Sequence, residues 1–275
     1  PYRFYLKHIR KLRTHEEYVP ELSTMAIGNL AHHIFETFGK SDWIDCTDDK
    51  ALEQYFSELL DQFCDQHYGK NPLPAVVIQR EQLRLRLCVF AQKQARMRSE
   101  GWKIITPQIE SKHTVELMVN DEPFTLVGRI DRMDRHEKTG QLRIMDYKTS
   151  ESSIDPDSKH RRKESDQSMA WVDLQLPLYR VLAASEIYDD KVQLGYCQLG
   201  KDLKKIGFDH ADWSLDELDD ALLIAKQIIR DVRNGIFWPP HDPPAYEDGL
   251  GGICQDAYPY RRLDVLTASS AGGEA

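Results

Sequence analysis

The segment GRIDRMDRHEKTGQLRIMDYKTS, at residues 128–150, contains the side chains best suited to chemistry. Its pattern predicts two β-strands joined by a polar turn, with Asp131 in the first strand and Asp146 and Lys148 in the second. Residues two apart share a face of a strand, so Asp146 and Lys148 point the same way, and strand pairing would bring Asp131 to them. Two carboxylates at one place repel each other, and a divalent cation such as Mg²⁺ relieves that repulsion. The alternative is a surface hairpin with ordinary salt bridges.

Four other residues could contribute to the same chemistry. His32 lies on a predicted helix, where an imidazole could complete a metal shell, although an isolated helical histidine is more often structural. Gln175 and Tyr179 are four residues apart and share one face of a later helix, which suits contact with a phosphate or a base. The alternative for that pair is packing of a helix edge on a sheet. Glu110 ends a predicted strand and could add a carboxylate, although a lone glutamate is more often structural.

A basic run, KHRRK at residues 159–163, follows the strand of Asp146 and Lys148 within a polar segment that we expect to be an irregular loop. Its cations could contact a phosphate backbone, and a solvated charge run is an equal alternative. The candidates for such contact are Lys159, Arg161, Arg162 and Lys163.

Hydrophobic periodicity predicts helices before residue 101 and strands directly after it. The predicted early elements are helices at 23–38, 51–68 and 76–99 and strands at 103–111, 114–119, 124–133 and 142–149. The predicted later elements are a helix at 171–187, a hairpin at 192–208 and a helix at 215–233. This order predicts a single α/β domain at residues 1–265, with a helical part at 1–101, a catalytic core at 102–265 and a disordered tail at 266–275.

The composition excludes some classes of protein and leaves others open. The net charge of −9 does not predict nucleic-acid binding, and it does not exclude it, because binding depends on local basic surfaces. No apolar run is long enough for a transmembrane helix, and the five unpatterned cysteines predict reduced thiols in the cytoplasm. The start at Pro1 and the lack of a GxxxxGK[ST] motif predict a fragment that relies on an ATPase elsewhere.

Four motifs, in order, resemble those of the RecB-type nucleases of the PD-(D/E)XK superfamily. They are GNLAHHIFE at 28–36, GRIDR at 128–132, MDYKT at 145–149 and QLPLY at 175–179. PYRFYL at residues 1–6 and the C-terminal segment extend the resemblance to nearly the whole chain. With them, the chain is most similar to the C-terminal nuclease domain of AddB-type helicase–nuclease subunits.

The resemblance implies a restriction-endonuclease-like mixed β-sheet flanked by helices, with a helical N-terminal part. The metal ligands that it implies are His32, Asp131, Asp146 and the carbonyl of Tyr147. The other site residues that it implies are Lys148, as the catalytic lysine, and Gln175 and Tyr179, on a helix that contacts DNA.

The activity that the resemblance implies is Mg²⁺-dependent hydrolysis of DNA, with Mn²⁺ as a possible substitute, leaving a 5′-phosphate. We expect an exonuclease for DNA end processing and recombinational repair. Its substrate would be linear single- or double-stranded DNA, and its partner a helicase domain or subunit.

AddB-type members carry an iron–sulfur cluster that is held by four cysteines. One precedes the nuclease domain, and three follow it at C-x2-C-x5-C spacing. The sequence departs from this pattern. Here Cys254 would be the first of the trailing three, but Ala257 and Leu263 occupy the other two positions. One thiol cannot hold a cubane cluster that takes four. We therefore expect no 4Fe–4S cluster, and a simple buried thiol at Cys254.

Two other functions stay open. A non-catalytic DNA-binding or scaffold module could keep this fold, but it predicts a lost Asp or Lys, and Asp131, Asp146 and Lys148 are all present. A stand-alone exonuclease of the phage recombination type is the third interpretation.

Overall fold

The structure is a computed structural model that describes residues 8–11, 21–105, 111–150, 152–164, 167–184 and 192–237. The chain forms two compact units, one of Val19–Gln227 and the other of Pro1–Tyr18 with Ile228–Ala275. All strands of the described part belong to the first unit. The second unit is described at residues 8–11 and 228–237, and the single domain expected at residues 1–265 stays a prediction. No helix within the described ranges has the length and apolar character needed to cross a membrane.

Three helices form the N-terminal part, and local sequence signals set their ends. They are α1 (Thr24–Gly39), α2 (Asp49–Tyr68) and α3 (Pro74–Ser99). The Ser23 side chain accepts the N–H of Ala26 at the start of α1, and the Asp48 side chain caps α2 in the same way. Gly69 follows α2 with φ of +74°, which glycine adopts without a steric penalty. The predicted helical N-terminal part is confirmed.

The described strands number nine, and five of them form the central sheet. The strands are β1 (Trp102–Ile104), β2 (Ser111–Val119), β3 (Glu122–Ile130), β4 (Arg132–His136), β5 (Leu142–Lys148), β6 (Arg161–Lys163), β7 (Met169–Trp171), β8 (Val192–Gln198) and β9 (Gly207–Ala211). The central sheet has the order β1-β4-β5-β8-β9, in which β5 and β8 are parallel and the other neighbours antiparallel. This mixed sheet flanked by helices confirms the predicted fold class.

Three more helices follow β5 in the chain: α4 (Pro156–His160), α5 (Gln175–Leu182) and α6 (Leu215–Arg233). Alternation along β5 divides the core into two layers. Met145 and Tyr147 face the N-terminal helices, where Phe35 of α1 stacks on Tyr147 with ring centres 4.3 Å apart. Ile144 faces the other side and packs with Leu176 of α5. The strand is thus buried on both faces, which fixes its register against α1 and α5.

The continuous strand predicted at 124–133 is wrong, because the chain bends at Asp131. Before the bend, β3 pairs with β2 in a separate two-stranded sheet, and after it β4 pairs with β1 and β5. The apolar positions change phase at the bend, from Phe124, Leu126 and Ile130 to Met133, and so short an interruption does not indicate a change of pairing partner.

The polar segment after β5 is not the irregular loop that we expected, since it contains α4 and the β6–β7 hairpin. The helix predicted from residue 171 starts instead at Gln175, whose N–H donates to the Asp173 side chain. Pro177 therefore lies in the first turn, where its missing N–H is tolerated. The hairpin predicted at 192–208 is displaced at its second strand, because Leu203–Lys205 forms a 3₁₀ turn and β9 starts at Gly207.

Candidate active site

Asp131 lies at the bend between β3 and β4 and is tied to β5. The residue is buried, and its Oδ2 accepts the N–H of Tyr147 at 2.9 Å. Arg132 pairs with Met145 across β4 and β5, so the bend places Asp131 beside the end of β5. The hydrogen bond therefore fixes the Asp131 carboxylate next to the residue that follows Asp146.

Three side chains hold the carboxylate of the buried Asp146. Lys148 Nζ lies 2.6 Å from Oδ2, and Oδ1 accepts from Gln175 Nε2 at 2.7 Å and from the Tyr179 hydroxyl at 3.0 Å. Gln175 Oε1 also accepts from Lys148 Nζ at 3.4 Å. Burial and the neighbouring Asp146 raise the pKa of Tyr179, so its phenol keeps its proton and acts as a donor. The structure thus brings Asp146, Lys148, Gln175 and Tyr179 together.

A second layer behind Lys148 was missed by the sequence analysis. Lys148 Nζ lies 4.8 Å from the centre of the Tyr196 ring, and the Tyr196 hydroxyl is 2.6 Å from Nε2 of the fully buried His160. His160 Nδ1 is 2.8 Å from the Asp173 carbonyl oxygen. A carbonyl only accepts, so Nδ1 carries the proton and Nε2 accepts from Tyr196. Burial lowers the pKa of His160, which favours this neutral form. The sequence signal that could have indicated this contact is the position of His160, a titratable residue, between the lysine and arginines of the basic run 159–163.

His32 lies beside Asp131, whereas its neighbour His33 does not. Nδ1 of His32 is 3.9 Å from Asp131 Oδ2, and its ring meets the Tyr147 ring edge-on with centres 5.5 Å apart. The His33 ring packs on Phe63 at 4.2 Å between centres. The two imidazoles diverge because consecutive residues on a helix are about 100° apart.

Close approach of α1 to the end of β5 is what brings His32 to the hairpin. A Cβ on Gly28 would lie 3.2 Å from Thr149 Oγ1, which is tighter than an ordinary contact. An alanine at this position would require the Thr149 side chain to shift by a few tenths of an ångström.

The donor set fits a hard divalent cation. In the part of the chain that the structure describes, no three His, Cys, Asp or Glu side chains already converge as a metal site. Mg²⁺ does not need that many, since it commonly takes one or two protein carboxylates and completes its shell with water and substrate phosphate. Asp131 and Asp146 are two buried carboxylates at one strand end, and oxygen donors of this kind suit Mg²⁺ or Mn²⁺.

Two cations of the basic run 159–163 lie beside carboxylates, and two are exposed. Lys159 lies 3.7 Å from Asp173, and Arg161 forms an ion pair with Glu217. The exposed members are Arg162 and Lys163, both on β6.

Glu110 and Cys254 lie outside the residues that the structure describes. Arg86 of α3 is buried, and its Nη1 donates to the Leu199 carbonyl at 3.4 Å. The cysteines within the described ranges are free thiols.

Two solved structures are similar to the chain. One, named "Putative exonuclease", from Eubacterium rectale, is 14% identical, with a TM-score of 0.48 over 98% of this chain and 86% of that one. The other, SSO0001, is 16% identical, with a TM-score of 0.34 over 84% of this chain and 97% of that one.

Sequence comparison gives a family and a relative. The relative is an ATP-dependent helicase/deoxyribonuclease subunit of Carboxydothermus hydrogenoformans, which is 29% identical over 203 residues, covering 68% of this chain and 17% of that protein. The chain therefore spans less than a fifth of the length of this curated relative. The family model of the PD-(D/E)XK nuclease superfamily matches residues 1–256. Because that match covers almost all of the sequence, the chain belongs to the PD-(D/E)XK nuclease superfamily.

Proposed function

We propose that the chain is a Mg²⁺-dependent deoxyribonuclease, and that it is the nuclease part of a longer helicase–nuclease. The observation that carries this proposal is the arrangement at the end of β5, where Lys148, Gln175 and Tyr179 hold the buried carboxylate of Asp146 beside Asp131. Membership of the nuclease superfamily and the likeness to a helicase/deoxyribonuclease subunit support a DNA substrate and a helicase partner.

In this proposal Asp131 and Asp146 hold the cation, with His32 and the Tyr147 carbonyl as further ligands. A bound divalent cation supplies Lewis-acid polarisation of the phosphodiester and a lowered pKa for the attacking water. Lys148 orients the nucleophile and offsets charge on the phosphate, because Asp146 and Gln175 fix the position of its ammonium group.

The substrate in this proposal is linear single- or double-stranded DNA, which the chain degrades as an exonuclease and leaves with a 5′-phosphate. We place this activity in the cytoplasm, in end processing and recombinational repair. Arg162 and Lys163, the exposed cations of β6, would contact the phosphate backbone.

The test is digestion of end-labelled linear DNA in Mg²⁺, in Mn²⁺ and in EDTA. We expect cutting with either metal, none in EDTA, and a rate loss of about 10²–10³-fold in Lys148→Ala, since removal of one positioned group that stabilises transition-state charge costs about that much. Lys70→Ala is the matched control, because Lys70 is an exposed lysine in the turn after α2.

A second variant, Asp146→Ala, separates catalysis from binding. It should lose cutting and still bind DNA in EDTA. Unchanged cutting in Asp146→Ala would refute the site, and a folded wild-type protein that binds DNA but cuts it in no metal would favour the non-catalytic module.

A further inference from the structure

A polar groove of about 710 Å³ lies on the face of the central sheet opposite Asp146. One wall is the last two turns of α3, and the other is β9 with the 3₁₀ turn before it. Arg143 of β5 and His210 of β9 line it from the sheet. Alternation along β5 puts Arg143 on the face of Met145 and Tyr147, away from the carboxylate of Asp146.

The groove is basic in a chain that is acidic overall. Its cations outnumber its carboxylates by five to two, whereas the whole chain has a net charge of −9. The cations are Lys93, Arg96, Arg143, Lys204 and Lys205, and the carboxylates are Glu100 and Asp209. Arg96 pairs with Glu100, and for the other four cations no carboxylate among the described residues lies within 4.0 Å. Such a local excess attracts an anion despite the acidic total.

Arg143 is fixed in place by uncharged groups. Its Nε donates to Gln193 Oε1 at 2.8 Å, and its Cζ lies 3.3 Å from the centre of the Trp102 ring. Nearby, Nε2 of His210 is buried and meets no hydrogen-bond partner within the described residues. A half-buried guanidinium held this way keeps its Nη groups for an acceptor, and arginine suits phosphate in particular.

The groove starts close to the candidate active site. Ser153, which lines it, is five residues after Lys148, so an extended chain bounds their separation at roughly 17 Å. Leu199 N–H donates to the Lys148 carbonyl at 2.7 Å, and the segment with Lys204 and Lys205 leaves from there. A strand of B-form DNA covers the same distance in about five nucleotides.

We propose that this groove binds the phosphate backbone of the same DNA strand that the hairpin cuts, which rests on the proposed function. The charges lie on both walls of the groove. Lys93 and Arg96 lie one turn apart along α3, and Lys204 and Lys205 line the facing wall. Cations on both walls of an open groove match the repeated charge of a polynucleotide better than a single small anion.

The test compares Lys204→Gln/Lys205→Gln with wild type by fluorescence anisotropy of a labelled single-stranded 20-mer in EDTA. Removal of two phosphate contacts should lower the slope of log K against log[salt] by roughly 1.4. Lys70→Gln/Lys138→Gln removes two exposed lysines outside the groove and should leave the slope unchanged. An equal slope in the groove variant and wild type would overturn the proposal.

Cutting separates this proposal from the proposed function. With Mg²⁺, the groove variant should cut the 20-mer more slowly than wild type at limiting substrate, and cut a tetranucleotide, too short to reach both sites, at the wild-type rate. If the wild type cuts DNA and the groove variant has the wild-type slope of log K against log[salt], the groove proposal is refuted and the nuclease proposal stands. If the wild type cuts DNA in no metal and the salt slope is reduced in the variant, the nuclease proposal is refuted and the DNA-binding groove stands. Equal competition by inorganic phosphate and the 20-mer, matched in phosphate concentration, would identify a small-anion site and overturn the proposal.

Discussion

The carboxylate of Asp146 is oriented mainly by a helix and not by its own strand. Both donors to Oδ1 come from α5, where Gln175 and Tyr179 are one helical turn apart, and they also contact each other at 3.0 Å. Hydrogen bonds to an ionised carboxylate are stronger than neutral ones, so the pair holds the group firmly. A displacement of α5 would therefore change the orientation of the Asp146 carboxylate.

Tyr179→Phe removes one of these donors and keeps the buried ring. We expect kcat to fall about tenfold with a small change in KM, because the Tyr179 hydroxyl is bonded to the Asp146 carboxylate, whereas the cations to which the proposals assign DNA binding are unchanged. Stability should fall by about 1 kcal/mol, the usual net contribution of one hydrogen bond. Steady-state digestion and urea unfolding measure the two effects.

Tyr55→Phe is the matched control for that variant, since the Tyr55 ring stacks on Trp43 in the helical layer. Its kcat should equal that of wild type. A wild-type kcat in Tyr179→Phe would show that Tyr179 serves packing alone.

Residue-scale prediction from the sequence worked where spacing alone defines a shared face. Asp146 with Lys148, two apart in a strand, and Gln175 with Tyr179, four apart in a helix, meet as the spacing requires. The contact of His160 with Tyr196 joins residues 36 apart in the chain, and no local periodicity encodes such a distance.

At the scale of elements, β8 and β9 approach so closely that only glycine fits between them. A Cβ on Gly195 would lie 2.0 Å from the Asp209 carbonyl oxygen and 2.9 Å from the Cα of His210. Both are backbone atoms, which cannot rotate away. This contact defines the position of β9, and β9 forms one wall of the basic groove.

Gly195→Ala should therefore destabilise the fold by about 3 kcal/mol, at the upper end for overpacking. Gly128→Ala is a matched comparison, because its Cβ would meet the tip of Leu182, a side chain that can change rotamer, and it should cost about 1 kcal/mol. Urea unfolding with equal m-values gives both numbers. Equal losses in the two variants would contradict the backbone clash.

The sequence predicts the helices of the N-terminal part better than the strands. Caps and stops such as Ser23 and Gly69 are local signals, so α1 and α2 begin and end within two residues of the predictions. The bend at Asp131 depends on which strand pairs with which, and the β6–β7 hairpin is too short to show alternation. Both are decided by tertiary contacts.

For the whole molecule, two buried histidines link stability to pH. Burial lowers the pKa of His160, and burial with the nearby Arg143 lowers the pKa of His210 to about 4. Both are neutral when folded and titrate near 6.5 when unfolded. As pH falls below 6.5, the unfolded chain binds more protons than the folded one, so stability decreases down to the folded pKa values.

We therefore expect the free energy of unfolding to fall between pH 7.5 and 5.5, with His210 contributing about 1 kcal/mol of that loss. Hydrogen bonds and nearby cations lower the pKa values of Glu53, Glu81 and Glu217. These glutamates lose their stabilising effect only below this pH window. His210→Gln should show a smaller loss than wild type in urea unfolding at the two pH values. An identical loss would contradict a neutral, buried His210.

Parallel strands cannot be joined by a tight turn, and β5 pairs with β8 across about 50 residues of chain. The connection carries α5, and with it Gln175 and Tyr179. Closing so long a loop costs entropy before its contacts form, so this pairing is expected late in folding. A chain that has formed only its helices and the β4–β5 hairpin already contains Asp131, Asp146 and Lys148, but it lacks the groups that orient them. We therefore expect the groups that orient the site to assemble late in folding, so that incompletely folded chains lack a competent site.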